Sequence, residues 1–205
     1  RGKSLRLEFQ QAAKGAPLTL QPDPGKGPVV EDTFVVEAGR LDLVNARIRS
    51  SASRGRDVPP RLLLVRDGEF TLHHCWLEGP LKGEAPETPL VEWIAGPGSE
   101  ATRRHAVIAN TFLFGSQPLL TADVDRRLLV LDNSVMASRS ECVTLRTMAA
   151  RGTSERDAAG WCVWRHCTLL IGSQGLRFSG AATGRTQPAA HLDVTDSLFA
   201  PAPGL

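Results

Sequence analysis

The densest run of reactive side chains is FTLHHCWLEG, Phe70 to Gly79, where His73, His74 and Cys75 stand in a row before Trp76. Imidazole and thiolate are the common ligands of zinc and the common partners in nucleophilic catalysis. Their spacing here argues against both. A structural zinc site draws four ligands at spacings such as CxxC or HxxxH, and no CxxC occurs in the chain. Consecutive residues of an extended strand point to alternate sides. His73 is therefore expected to face out, His74 to occupy a turn and Cys75 to face in. No metal ligand set is predicted.

Other chemistry-bearing motifs are missing. GKG (Gly25 to Gly27) lacks the GxxxxGK[ST] frame of a phosphate-binding loop and reads as a turn. There is no GxSxG nucleophile elbow. The basic clusters RRH (Arg103 to His105) and DRR (Asp125 to Arg127) read as solvated turns. A formal charge of +2 gives no footprint for nucleic acid. No apolar run approaches the roughly 20 residues of a membrane span.

The elements that must position these side chains form a repeat. LDLVNARI (from Leu41), FTLHHCWL (from Phe70), AVIANTFL (from Ala106), LLVLDNSVM (ending at Met136), CVWRHCTL (from Cys162) and LDVTDSLF (from Leu192) share one pattern. It is apolar, any, apolar, any, Asn/His/Asp, small, any, apolar. The polar slot holds Asn45, His74, Asn110, Asn133, His166 and Asp196 at spacings of 23 to 36 residues. A constant core unit with variable inserts is the signature of a solenoid. A further period-two stretch follows each unit, as in Leu120/Ala122, Val143/Leu145 and Leu176/Phe178, so each turn carries another strand. Gly39, Gly68 and Gly160 share a slot upstream, which suggests a bend needing unusual backbone angles. Helices are poorly supported, apart from one possible turn within 150–159.

Stacking the units predicts three inward layers. They are Leu41, Phe70, Ala106, Leu129, Cys162 and Leu192; then Leu43, Leu72, Ile108, Leu131, Trp164 and Val194; then Ile48, Leu77, Leu113, Met136, Leu169 and Phe199. The polar slot needs a residue that tolerates left-handed backbone, for which Asn, Asp and His are the enriched non-glycine choices. Stacked Asn side chains can also bond one another. The slot after it is small, and there Cys75 and Cys167 serve as buried, free thiols.

This combination of three strands per turn, a two-residue Asn-bearing turn and long loops resembles the right-handed parallel β-helix, the pectate-lyase-like superfamily. PLTLQPDPGKGPVV (Pro17 to Val30) is similar to an early rung of such domains. The expected fold is an all-β, right-handed parallel β-helix of about six to eight rungs with loop inserts. It forms one domain over 1–205, read as a piece of a longer, bacterial chain. The resemblance implies a substrate groove on the sheet that follows the long loop. There Asp123 or Asp125 would hold a cation and Arg146 or Arg177 would act on a sugar acid, with calcium as the cofactor of that lyase reading alone. No dense Asp cluster and no paired-carboxylate hydrolase motif accompanies them, and Asp123 beside Arg146 reads more simply as a cross-strand ion pair. By fold analogy the compartment is extracellular or cell-envelope, while free thiols also suit a cytoplasm.

Val107, Val130 and Val163, with Trp76, Phe112 and Val135, should form an apolar outer stripe, covered by loops or by a partner. Trp76, Phe112 and His73 are the binding candidates. The expected function is a non-catalytic scaffold for glycan or protein ligands along the side of the helix. The alternatives are a polysaccharide lyase or hydrolase, and a self-association module using the stripe or uncapped ends.

Overall fold

The computed structural model describes residues 3–9, 19–20, 32–49, 61–81, 87–96, 103–147, 159–180 and 190–202. Among them lie twenty strands and no helix. The helical turn considered within 150–159 and most of the early rung after Pro17 fall outside the described residues.

The strands build three parallel sheets, one strand per sheet per turn, so the chain is an all-β parallel β-helix. Sheet A contains β1 (Ser4–Glu8), β4 (Arg40–Val44), β7 (Glu69–His73), β10 (Arg104–Ala109), β13 (Arg127–Asp132), β16 (Gly160–Arg165) and β19 (Ala190–Thr195). Sheet B contains β2 (Thr19–Leu20), β5 (Arg47–Arg49), β8 (Trp76–Glu78), β11 (Phe112–Gly115), β14 (Val135–Ser138), β17 (Thr168–Ile171) and β20 (Leu198–Pro201). Sheet C contains β3 (Asp32–Glu37), β6 (Arg61–Arg66), β9 (Val91–Ile94), β12 (Leu120–Asp123), β15 (Glu141–Thr147) and β18 (Gln174–Gly180).

The three inward layers stack in the predicted register. Leu41 pairs with Phe70, Phe70 with Ala106, Ala106 with Leu129, Leu129 with Cys162 and Cys162 with Leu192. Sheet C adds Leu120 over Val143 over Leu176, and Ala122 over Leu145 over Phe178. In the middle rungs these side chains are completely buried. Each contributes roughly 1.5–3 kcal/mol relative to exposure where it is a full Leu, Ile or Phe. Trp93 fills the corner beside Phe70, edge to face at 6.0 Å, and donates its indole N–H to Gly68 O at 2.8 Å.

Two corners carry left-handed backbone. Between sheets A and B, Asn45, His74, Asn110, Asn133, His166 and Asp196 all have φ between 42° and 57°. Between sheets C and A the positive φ falls on Ala38, Asp67 and Arg126. This corrects the reading of Gly39 and Gly68, whose predecessors bear the unusual angle. The glycines are required instead by close approach of backbones. A Cβ on Gly39 would lie 2.6 Å from Lys3 O, and one on Gly160 would collide with Val124 O.

The small slot is more than a small space. The Thr111 hydroxyl accepts the N–H of Cys75 (3.3 Å), Ser134 accepts that of Thr111 (3.1 Å), and Ser197 accepts that of Cys167 (3.1 Å). Cys75 and Cys167 take the N–H groups of Ala46 and Ser134 through sulfur. Each slot oxygen or sulfur also donates to a carbonyl two residues back, as Ser134 does to Asp132 at 2.8 Å. The slot thus satisfies the turn's buried N–H, which water cannot reach.

All four cysteines are free and buried. Burial pushes Cys142 up to about 11 and Cys162 up to about 12. It raises Cys75 and Cys167 as well, against the N–H groups that their sulfurs accept. An Ellman titration of the native protein near pH 8 should therefore show almost no reactive thiol, and four after addition of denaturant. The raised values favour the folded state fully below the ordinary thiol value of 9.0, and that advantage fades as pH climbs from there to about 12. Rapid reaction of even one native thiol would contradict this packing.

Candidate functional site

On the outer face of sheet C the acidic and basic candidates meet, but as a closed network. Arg146 in β15 donates to Asp123 Oδ1 at 2.8 Å and to Glu92 Oε1 at 3.1 Å. Glu92 in β9 also holds Arg61 at 3.0 Å. The other Asp123 oxygen accepts the Ala95 N–H at 2.7 Å, while Asp67 accepts that of Gly96 at 3.0 Å. Asp123 and Asp67 thereby fasten the chain where β9 ends. Asp123, expected in an open groove, is buried, as are Thr121 and Thr144 on the same face.

Arg177 does not join this network. It pairs with Glu141 at 2.9 Å, and Glu141 also accepts the Thr144 hydroxyl at 2.6 Å. Burial opposes ionisation of Glu141, yet those two hydrogen bonds and the Arg177 charge bring its carboxyl below the usual range. Asp125 sits half-buried in the bend after β12. The neighbouring Arg127 is almost completely buried, with its guanidinium carbon 4.9 Å from the Trp93 ring centre. Burial lowers its pKa against the raising influence of Asp123 and Asp67. Among the described residues no group of three or more His, Cys, Asp or Glu is placed to hold a metal ion.

Glu92 and Arg61 in the network, and Glu141 beside Arg177, are the residues that sequence reasoning missed. Only the register across β9, β12 and β15, which sets Glu92 beside Thr121 and Asp123 beside Arg146, brings the network together, and the inserts between those strands differ in length. The outward position of Glu92 in VEWI was the one local signal.

The outer face of sheet B carries an aromatic ladder. Parallel pairing stacks Arg47 on Trp76 and Trp76 on Phe112. The Arg47 guanidinium carbon lies 5.1 Å from the Trp76 ring centre. Trp76 and Phe112 have centroids 4.4 Å apart, and Phe114 continues at 5.8 Å. Because the neighbours come from consecutive strands, both faces of the indole are occupied. Even so, 41% of the residue is exposed. Val135 and Leu170 extend the apolar face, half-buried, toward exposed Leu198.

His73 is not part of that face. It projects from sheet A on the other side of the corner, its ring 4.1 Å from that of His74 and its Nε2 3.4 Å from Asn110 Nδ2. Along the corner Asn133 donates to Asn110 at 2.6 Å, and His166 lies 3.6 Å from Asp132 and 3.7 Å from Asp196. Sheet A has its own outer patch around Val107, Val130 and Val163. Leu128 and Trp161, both well exposed, extend it, with Trp161 stacked on His191 at 4.4 Å. Trp161 lies just before the repeated pattern, and Leu128 opens the unit LLVLDNSVM one residue ahead of its first inward position.

Among the described residues no helix is long and apolar enough to cross a membrane. Comparison with models of protein families, with curated proteins and with solved structures finds no match for the chain.

Proposed function

We propose that this chain is a non-catalytic solenoid scaffold that binds a protein ligand along the outer face of sheet B. The observation that carries the reading is the ladder of Arg47, Trp76, Phe112 and Phe114 on a half-exposed apolar sheet. Outward residues of a water-facing sheet are ordinarily polar, and exposed contiguous apolar surface marks an interaction site. A rigid β-helix presents that surface without loss of conformational entropy on binding.

A protein ligand suits the ladder better than a glycan. Sugar rings stack on open aromatic faces, and here the faces are taken by the neighbouring rungs. The stripe also offers few hydrogen-bonding groups, since Arg49 and Glu78 at its edge already pair at 2.9 Å. A lyase or hydrolase reading finds less support. A general base must be free to accept a proton, whereas Asp123 and Glu92 are committed to Arg146.

Site-specific photocrosslinking tests this. A benzophenone side chain replacing Val135 should capture a protein from an extract of the source organism, and one replacing Ser179 on sheet C should not. Trp76→Ala should reduce the Val135 adduct, while a glycan array and an assay for unsaturated uronates should stay blank. Uronate product that vanishes in a folded Arg146→Ala variant would replace this proposal with the enzymatic one.

A further inference from the structure

We propose that the ligand's element on the sheet B stripe is an amphipathic α-helix, lying along the solenoid axis with its C-terminal end at Arg47. The inference rests on the function proposed above for that stripe and adds the shape and polarity of what binds there. The backbone gives the first reason. Strands β8, β11, β14 and β17 are each paired on both edges, so a ligand meets them only through side chains on the sheet's face. Addition of a strand, which needs a free edge, is closed to it. The ligand must satisfy its own N–H and C=O groups while it presents apolar side chains. A helix does both within one segment.

The dimensions of the face give the second. Each strand turns two side chains outward, Phe112 and Phe114 on β11, Val135 and Ala137 on β14, Thr168 and Leu170 on β17. Two side chains about 7 Å apart make a strip that matches the roughly 10–12 Å diameter of a single helix. From β5 to β17 the strip runs four rung steps. At about 4.8 Å per step that is roughly 19 Å, the length of a helix of about 13 residues. The middle of the strip is also clear of inserts arising beside it. From β11 to β17 the corners on either side of sheet B are only two to four residues long.

Charge sets the direction. Arg47 lies against the Trp76 ring and has no carboxylate partner among the described residues, whereas Arg49 on the same strand is held by Glu78 at 2.9 Å. A stacked guanidinium keeps its N–H groups available for a further acceptor. The last-turn carbonyls of a helix lack intrahelical donors and carry partial negative charge, which a cation stabilises. At the other end of the strip β17 turns out Thr168 and Leu170, neither of them charged. A second copy of this chain does not supply the element, since its described residues contain no helix.

Crosslink mapping on the intact protein tests this. Benzophenone side chains replace Phe112, Val135 and Thr168 one at a time, and the attachment points on the captured protein are located by mass spectrometry. Phe112 and Thr168 stand in one outward column two rungs apart, with Val135 between them. Two rungs are about 9.6 Å. The centre of the adducts should therefore move about six residues toward the captured protein's N-terminus, because a helix rises about 1.5 Å per residue. An extended segment would move only about three. Arg47→Gln should lower the yield at all three positions up to about fivefold, as for a charge at a helix end. Arg165→Gln on sheet A should leave it unchanged. A step of about three residues, scattered attachment points, capture of this chain itself, or a yield indifferent to Arg47→Gln would each overturn the helix while leaving the stripe as a binding face. No adduct at any of the three positions would overturn the proposed function together with it.

Discussion

Gly160→Ala should lower stability by about 3 kcal/mol, a cost at the upper end of overpacking. In a domain of this size that shifts the melting temperature by roughly 6–12 °C. The new methyl would be driven into the carbonyl of Val124, which belongs to the same corner one rung earlier. Backbone cannot rotate away as a side chain can, so the corner between sheets C and A must open. That movement would disturb β16 at its first residue, next to the buried Cys162 and Trp164. Gly180→Ala provides the comparison, because its methyl would meet only the Thr147 hydroxyl at 3.2 Å on an end strand. Paired urea melts read the difference, and equal midpoints would disprove the close-approach account.

The same slot shows where a sequence pattern stops being informative. In rungs with Gly39, Gly68 and Gly160 the strands crowd together, while Arg104 and Arg127 stand in register at that slot in the two rungs between. Arg127 lies over the ring of Trp93. Reading glycine as a backbone-angle residue was reasonable locally, but the angle fell one residue earlier, on Ala38 and Asp67.

The inward layers were legible because a parallel stack repeats one chemical demand at each rung. Leu43, Leu72, Ile108, Leu131 and Trp164 answer it in turn, and six copies fix the register. The corner residues were legible for a related reason, since only a few residue types accept positive φ. Outward faces obey no such repetition. Thr121 and Thr144 alternate as exposed residues should, yet both are buried, and Leu64 in the same outward column is fully buried too. The aromatic ladder was half visible. Trp76 and Phe112 could be aligned by the repeat, but Arg47 joins them through space, and nothing in its local sequence announces that contact.

Asp123→Ala should cost about 2–3 kcal/mol, less than the 3–5 kcal/mol of a fully buried pair because Arg146 keeps Glu92 and remains one-third exposed. Two groups lose their acceptor. The Ala95 N–H loses its bond of 2.7 Å, and the Arg146 Nε loses one of 2.8 Å. Arg146→Ala should cost less, since Glu92 retains Arg61 and Asp123 retains the Ala95 N–H. The double variant should fall short of the sum of the singles by 0.5 kcal/mol or more, the coupling expected of residues in one network. Asp123→Asn separates charge from hydrogen bonding: its amide oxygen can still take the Ala95 N–H, so it should recover part of the loss. High salt should not abolish the effect, because the Asp123 side chain is only 7% exposed and poorly screened. Additive single variants would mean that the pair is incidental, leaving the carboxylate free for another role. Coupled variants place Asp123 in the architecture, fastening the end of β9 to β15, where a catalytic carboxylate would have to give up the contacts that hold its own strand.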